Sequence, residues 1–196
     1  FFYNGGGDSQ DTTNKVSKFF REKKYPIVCI GLPKTIDNDL PITDNCPGYG
    51  SVAKYIATST LEASLDVKSM SETSTKVFIL EVMGRHAGWL AASAGVIKKI
   101  SGDPPHLILF PEIKFMEKVF LKKVREVINK YGYCVIVASE GIKNSKNEFL
   151  SDSGLKDSFG HAQLGGVAPV LSELISSKLK YKVHWAVSDY LQRAAR

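Results

Sequence analysis

The chain has 196 residues, of which 43% are hydrophobic and 23% charged, with 26 Lys+Arg against 20 Asp+Glu for a formal net charge of +6. This is an ordinary globular composition, which excludes collagen-like, low-complexity and acidic disordered chains, while the apolar runs are too short to span a bilayer. The three cysteines show no CxxC or Cys/His spacing, so neither a disulfide framework nor zinc is expected, and a reducing, cytoplasmic setting without a membrane segment is.

Phe1-Phe2-Tyr3 reads as the tail of a strand that runs into the glycine turn Gly5-Gly6-Gly7-Asp8-Ser9. A helix is predicted from about Asp11 to Lys23, with Asp11 or Thr12 as its cap and Val16, Phe19 and Phe20 on one face. The run Ile27-Val28-Cys29-Ile30 reads as a strand buried on both faces, followed by the loop Gly31-Leu32-Pro33-Lys34-Thr35-Ile36-Asp37-Asn38-Asp39. Further helices are predicted over Ser51–Leu65, Trp89–Lys98, Met116–Tyr131, near Val170–Leu179 and over Ser188–Arg196, and further strands over Val77–Leu80, Leu107–Phe110 and Cys134–Ala138. The polar stretch Asn144–Asp157 reads as a surface excursion. Strands that alternate with helices in this way predict an α/β fold of Rossmann-like parallel sheets, with right-handed crossovers and flanking helices. Lysines clustered over Lys15–Lys24 and Lys118–Lys130 fall in helical segments, where they form a solvated face, so no nucleic-acid partner is expected.

The loop after the second strand carries the chemistry. It places a lysine, a hydroxyl and two carboxylates where parallel α/β sheets bind ligands, beyond a strand's carboxyl end. If the loop is extended, Asp37 and Asp39 point to one side and Asn38 to the other, so that one acid can meet a hydroxyl and the other a cation, as in phosphoryl transfer. An Asp/Asn-rich turn also serves simply as a cap, and spacing alone does not separate the two readings. Glycines Gly5, Gly6 and Gly7 permit an anion-binding nest ahead of a helix N-terminus. Met83-Gly84-Arg85 allows close backbone approach next to an oxyanion clamp.

Taken in order, the glycine turn, Pro33-Lys34-Thr35-Ile36-Asp37-Asn38-Asp39, Glu81-Val82-Met83-Gly84-Arg85-His86-Ala87-Gly88, Pro111-Glu112, Ser139-Glu140-Gly141 and Gly160-His161-Ala162-Gln163 resemble the 6-phosphofructokinase family over nearly the whole chain. The resemblance implies a two-domain architecture, present here in part: residues 1–48 in a diphosphate-binding domain, 49–163 in a fructose 6-phosphate-binding domain, and 164–196 as a return segment toward the first. Asp8 and Lys34, where the ATP-using branch has glycines, resemble the pyrophosphate-dependent branch. The implied reaction moves a phosphoryl group from inorganic diphosphate to the 1-hydroxyl of fructose 6-phosphate in the presence of Mg²⁺.

In that family's terms Asp37 is the base, with Thr35 and Asp39 beside it, and Lys34 neutralises the transferred group and favours the ionised form of Asp37. Gly6, Gly7, Asp8 and Ser9 lie on the diphosphate side, and Asp8 is the metal residue. Met83, Gly84, Arg85, Glu140, His161, Tyr190 and Arg193 hold the sugar phosphate with Thr35 and Asp37, as does Lys76, which stands where an arginine reaches a neighbouring subunit and so implies a homo-oligomer. Three departures are notable: Gly7 stands where the family has Asp, Leu164 where bacterial ATP-type members have a phosphate-binding arginine, and Lys76 for that subunit-crossing arginine. The resemblance also implies further elements before Phe1 and after Arg196. The alternative readings are an ATP-dependent 6-phosphofructokinase and a non-catalytic subunit that binds sugar phosphate.

Overall fold

The computed structural model describes residues 1–156 and 162–196. Its elements are β1 (Phe2–Gly5), α1 (Gly7–Glu22), β2 (Ile30–Pro33), α2 (Tyr49–Met70), β3 (Val77–Val82), α3 (Trp89–Ser93), β4 (Leu107–Leu109), α4 (Glu117–Tyr131), β5 (Cys134–Ser139), β6 (Asp152–Lys156), β7 (Ala162–Leu164), α5 (Val167–Leu179), β8 (Val183–Val187) and α6 (Asp189–Arg193). Among these residues β1 and β2 form one parallel pair, β4-β5-β3-β8 form a four-stranded sheet, and β6 and β7 pair antiparallel. Every pairing in the four-stranded sheet is parallel, as the alternating pattern leads one to expect.

Strand parity sorts the core into two layers. Val77 and Ile79 of β3 and Cys134, Ile136 and Ala138 of β5 pack with α4 and α5. Leu80 and Val82 with Val137 face the other way, onto Val52 and Ile56 of α2 and Leu90 and Ala91 of α3. Helix α4 follows the simplest amphipathic rule: Phe120, Val124 and Ile128, each four residues apart, are its buried residues, and Gly132 ends it in the left-handed region at φ 85°. Helix α2 runs five residues beyond the predicted end at Leu65. Its buried stripe includes Thr60 and Ser64, whose hydroxyls donate to the carbonyls of Ile56 and Thr60, so small polar residues stay dry without orphaned groups.

Four local expectations need correction. Ile27–Ile30 is not the doubly buried strand: β2 begins at Ile30, and Val28 is 74% exposed, because among the described residues β2 pairs with β1 alone and α1 is the main helix packed on the pair. Helix α1 starts at Gly7 rather than Asp11, the Trp89–Lys98 helix tightens into a 3-10 turn over Ala94–Ile97, and strands β6, β7 and β8 were not foreseen. β8 escapes periodicity because it is an edge strand whose Trp185 and Val187 are exposed, and its affiliation with β3 is wholly non-local. Residues 164–196 thus supply a helix and a strand to the four-stranded unit before α6.

β3 and β5 are neighbours, yet the chain leaves β3 toward β4 at one edge and leaves β5, through α5, toward β8 at the other. Their carboxyl ends therefore flank a topological switch point, the place where such sheets open a crevice.

Candidate active site

The carboxyl ends of β1, β2 and β3 and helix α6 meet around a cleft of about 410 Å³. One wall is the start of α1, with Gly6, Gly7 and Gln10. The floor is Pro33-Lys34-Thr35 and Ile36-Asp37, and Asp39, Leu40, Met83 and Arg193 close it.

None of Gly5, Gly6 or Gly7 has a positive φ, so the expected nest is absent; Gly6 is extended at φ −75° and caps α1. What faces the cleft is the helix N-terminus itself, whose first N–H groups lack intrahelical partners and favour an anion. The Lys34 side chain adds to this, its Nζ lying 4.0 Å from where a Cβ on Gly6 would stand. Asp8 sits in the first turn of α1, and Ser9 packs back on Gly5; neither lines the cleft.

Asp37 and Asp39 do share the cleft, but not because the loop is extended. Asn38 between them takes φ 58°, in the left-handed region, and turns its side chain into the protein, where Oδ1 accepts from the Cys46 N–H at 2.7 Å and Nδ2 donates to the Asp44 carbonyl at 3.3 Å. Asn is among the few non-glycine residues that tolerate this backbone region, and its amide satisfies both bonds. The Thr35 hydroxyl accepts the Asp37 N–H at 3.0 Å, which sets the turn.

Burial raises the Asp37 carboxyl from its ordinary 3.8 to about 6, with Asp39 and Glu140 adding to the rise and Lys34 and Arg85 opposing it. Lys34 does favour the ionised form, as expected, but desolvation and two like charges outweigh it together with Arg85. Arg85 and Glu140 thus share the electrostatic environment of Asp37. Glu140 is likewise raised, chiefly by burial, while Arg85 and the Gly84 N–H pull it down.

The Met83-Gly84-Arg85 turn is pinned from several sides. Gly84 takes φ 120°, and a Cβ there would strike the Ala87 carbonyl, so glycine is required. The Ser139 hydroxyl donates to the Gly84 carbonyl, Glu112 Oε1 accepts the Gly88 N–H at 2.8 Å, and Gln192 Oε1 accepts the Met83 N–H at 3.3 Å. Gly141 lies so close to the Arg85 backbone that a Cβ would overlap its carbonyl. Beneath this turn the buried Glu81 accepts the Ala168 N–H at 2.8 Å, capping α5.

On α6, Tyr190 is 66% exposed and the Arg193 guanidinium lies 4.7 Å over its ring, so the two act as one surface beside the cleft. Lys76 is not part of this assembly: it precedes β3 at the opposite end of the strand and donates to the Ser71 carbonyl at 2.6 Å. His161 lies outside the described residues. Gln10, Glu112 and Gln192 were given no role from the sequence, although Glu112 fell within Pro111-Glu112 and Gln192 within the run Asp189-Tyr190-Leu191-Gln192-Arg193. Among the described residues no helix is long and apolar enough to cross a membrane.

The phosphofructokinase profile matches residues 1–196. A pyrophosphate–fructose 6-phosphate 1-phosphotransferase of Halomonas elongata is 63% identical over 196 residues, covering 100% of this chain and 47% of that protein. The crystal structure of a pyrophosphate-dependent phosphofructokinase from Marinobacter aquaeolei superposes with a TM-score of 0.79 at 60% identity, covering 100% of this chain and 45% of that one. An ATP-dependent 6-phosphofructokinase of Streptomyces coelicolor is more distant, at 32% identity over 182 residues, covering 92% of this chain and 50% of that protein. The chain thus spans about half the length of the curated relatives it matches.

Proposed function

The chain belongs to the phosphofructokinase family, and from that premise we propose that the full-length protein moves a phosphoryl group from inorganic diphosphate to the 1-hydroxyl of fructose 6-phosphate, giving fructose 1,6-bisphosphate and phosphate. The observation that carries this reading is Asp37: a carboxylate held at about 6, in a cleft that also presents Lys34 and the N-terminus of α1. A base poised there is mostly ionised at neutral pH yet strong enough to accept a hydroxyl proton.

In this mechanism Asp37 takes the proton of the 1-hydroxyl as its oxygen attacks the terminal phosphorus of diphosphate, and inorganic phosphate departs. Lys34 and the N–H groups at the start of α1 offset the charge on the transferred group. Met83, Gly84, Arg85 and Glu140 orient the sugar, and Tyr190 with Arg193 receives its 6-phosphate, as does His161. Asp8 brings negative charge to the first turn of α1, next to the cleft, which penalises a longer polyphosphate and so disfavours a nucleotide.

Among the described residues no group of three or more His, Cys, Asp and Glu could hold a metal by itself. Mg²⁺ takes most of its ligands from phosphate oxygens and water together with one or two carboxylates. Asp8, in the first turn of α1 next to the Gly6–Gly7 wall of the cleft though not itself lining it, is the residue we assign to it, and the bound ion would supply charge neutralisation on the diphosphate oxygens. We further assign the protein to the cytoplasm as a homo-oligomer, with Lys76 serving a neighbouring subunit, and divide the chain at residues 1–48, 49–163 and 164–196 as above.

The test is a donor comparison in the full-length protein. Fructose 6-phosphate with diphosphate should give Mg²⁺-dependent phosphate release, and ATP should be a poor donor. Equal kcat/KM with ATP would overturn the donor assignment. Asp37→Ser should lower kcat by roughly 10²–10⁴-fold, and unchanged turnover would remove Asp37 as the base.

A further inference from the structure

Gln192 is fully buried, at 0% exposure, in a helix that otherwise presents Tyr190, Leu191 and Arg193 to the surface. A polar side chain of this size is kept out of water only where a buried partner needs it. The partner is the Met83 N–H, which donates to Gln192 Oε1 across 109 residues of sequence. Met83 lies one residue past the end of β3, where the ladder to β5 and β8 has stopped, so its N–H has no neighbouring strand to pair with. Gln192 Nε2 has no hydrogen-bond partner among the described residues, so the amide is held there by what its oxygen does.

The consequence is a mechanical link between two groups of substrate-facing residues. The same α6 is tied to β3 a second time by the Ser188 N–H, which donates to the Glu81 carbonyl at 3.1 Å. Asp189, which starts the helix, takes φ 35°, a strained backbone for a non-glycine residue that persists only when its surroundings over-determine it. Thus α6 is clamped onto the end of β3 at both ends of its single turn.

We propose that Gln192 is a positioning residue for sugar-phosphate binding: by accepting the Met83 N–H it sets the distance between Arg85 on the strand-end turn and the Tyr190–Arg193 pair on α6. This rests on the function proposed above, in which both groups grip the same sugar phosphate. The hydrogen bonds of the link join α6 to the end of β3 and involve neither α1 nor the loop after β2, although Met83 and Arg193 line the cleft those elements share.

The experiment pairs steady-state kinetics with hydrogen exchange in the full-length protein. In Gln192→Met, of similar length but without the acceptor, KM for fructose 6-phosphate should rise about tenfold while KM for diphosphate and kcat stay within about twofold. Amide exchange over residues 83–85 should accelerate in the same variant. Gln192→Glu, whose buried acid retains a carbonyl acceptor, should restore both readouts. An equal loss for both substrates, unchanged kinetics and exchange, or no rescue by Glu overturns the inference. If Gln192→Met does not fold, Gln192→Asn, one methylene short of the bond, must show the same selective rise. Should the parent protein turn over no fructose 6-phosphate while exchange at 83–85 still accelerates, the function proposed above falls and the link stands.

Discussion

At the scale of single residues the behaviour of the site turns on Asp37. With the carboxyl held near 6, kcat/KM for the sugar phosphate should fall on the acid side with a midpoint close to that value, read from a pH–rate profile. Asp39 is one of the groups that raise it, so Asp39→Asn should move the acid limb to lower pH. Lys34→Met removes an opposing cation and should move it up. The same burial has a stability consequence whose sign is opposite to that of a salt-bridged acid. Because the folded carboxyl lies above its ordinary 3.8, the fold binds the proton more tightly than the unfolded chain, and stability falls as pH rises from about 4 to about 6. Asp37→Asn should therefore lose turnover yet melt a few degrees higher at pH 8, with the gain fading as pH falls through 6 and gone near pH 4. A thermal melt series that shows no gain at pH 8 would contradict the assigned burial. Lys34, Asp37 and Asp39 were readable as a chemical set from their order in the chain. Their balance was not, because desolvation depends on walls contributed by residues around 83 and 140.

At the scale of elements the strand-end turn after β3 is the most constrained part of the site. Ser139 and Gly141 come from the end of β5, Glu112 from the loop after β4, and Gln192 from α6, so three separate segments pin six residues. Gly141→Ala should be costly, since the Cβ would overlap backbone rather than a flexible side chain. We expect a loss of about 1–3 kcal/mol in denaturant unfolding, together with a raised KM for fructose 6-phosphate as Arg85 is displaced. An unaltered KM would show that the turn adjusts without moving its arginine. Helices α2, α4 and α5 were legible because a periodic apolar stripe needs only local sequence. Strands β2 and β8 were misplaced or missed because their partners and their exposure are set by other elements: Val28 is apolar but 74% exposed, and β8 gains its identity only by pairing with β3.

At the scale of the whole molecule the question is which donor the protein accepts. Asp8 and Lys34 lie on different elements, one in the first turn of α1 and one after β2, and the fold brings both to the same anion-favouring end. In the full-length protein the double change Asp8→Gly with Lys34→Gly should narrow the kcat/KM preference for diphosphate over ATP by about tenfold. An unchanged preference would mean that donor choice is made elsewhere. The parallel α/β architecture, the family and the identity of the chemical groups followed from the sequence by itself, because apolar periodicity and short motifs are local properties of a chain. Tertiary structure alone decided that Asn38 flips inward so that two aspartates share a cleft, that Asp37 is raised rather than lowered, that Lys76 stands apart from the cleft, and that Gln192 joins α6 to β3. Each of those depends on burial or on a contact between residues distant along the chain, and neither quantity exists until the sheet has closed around them.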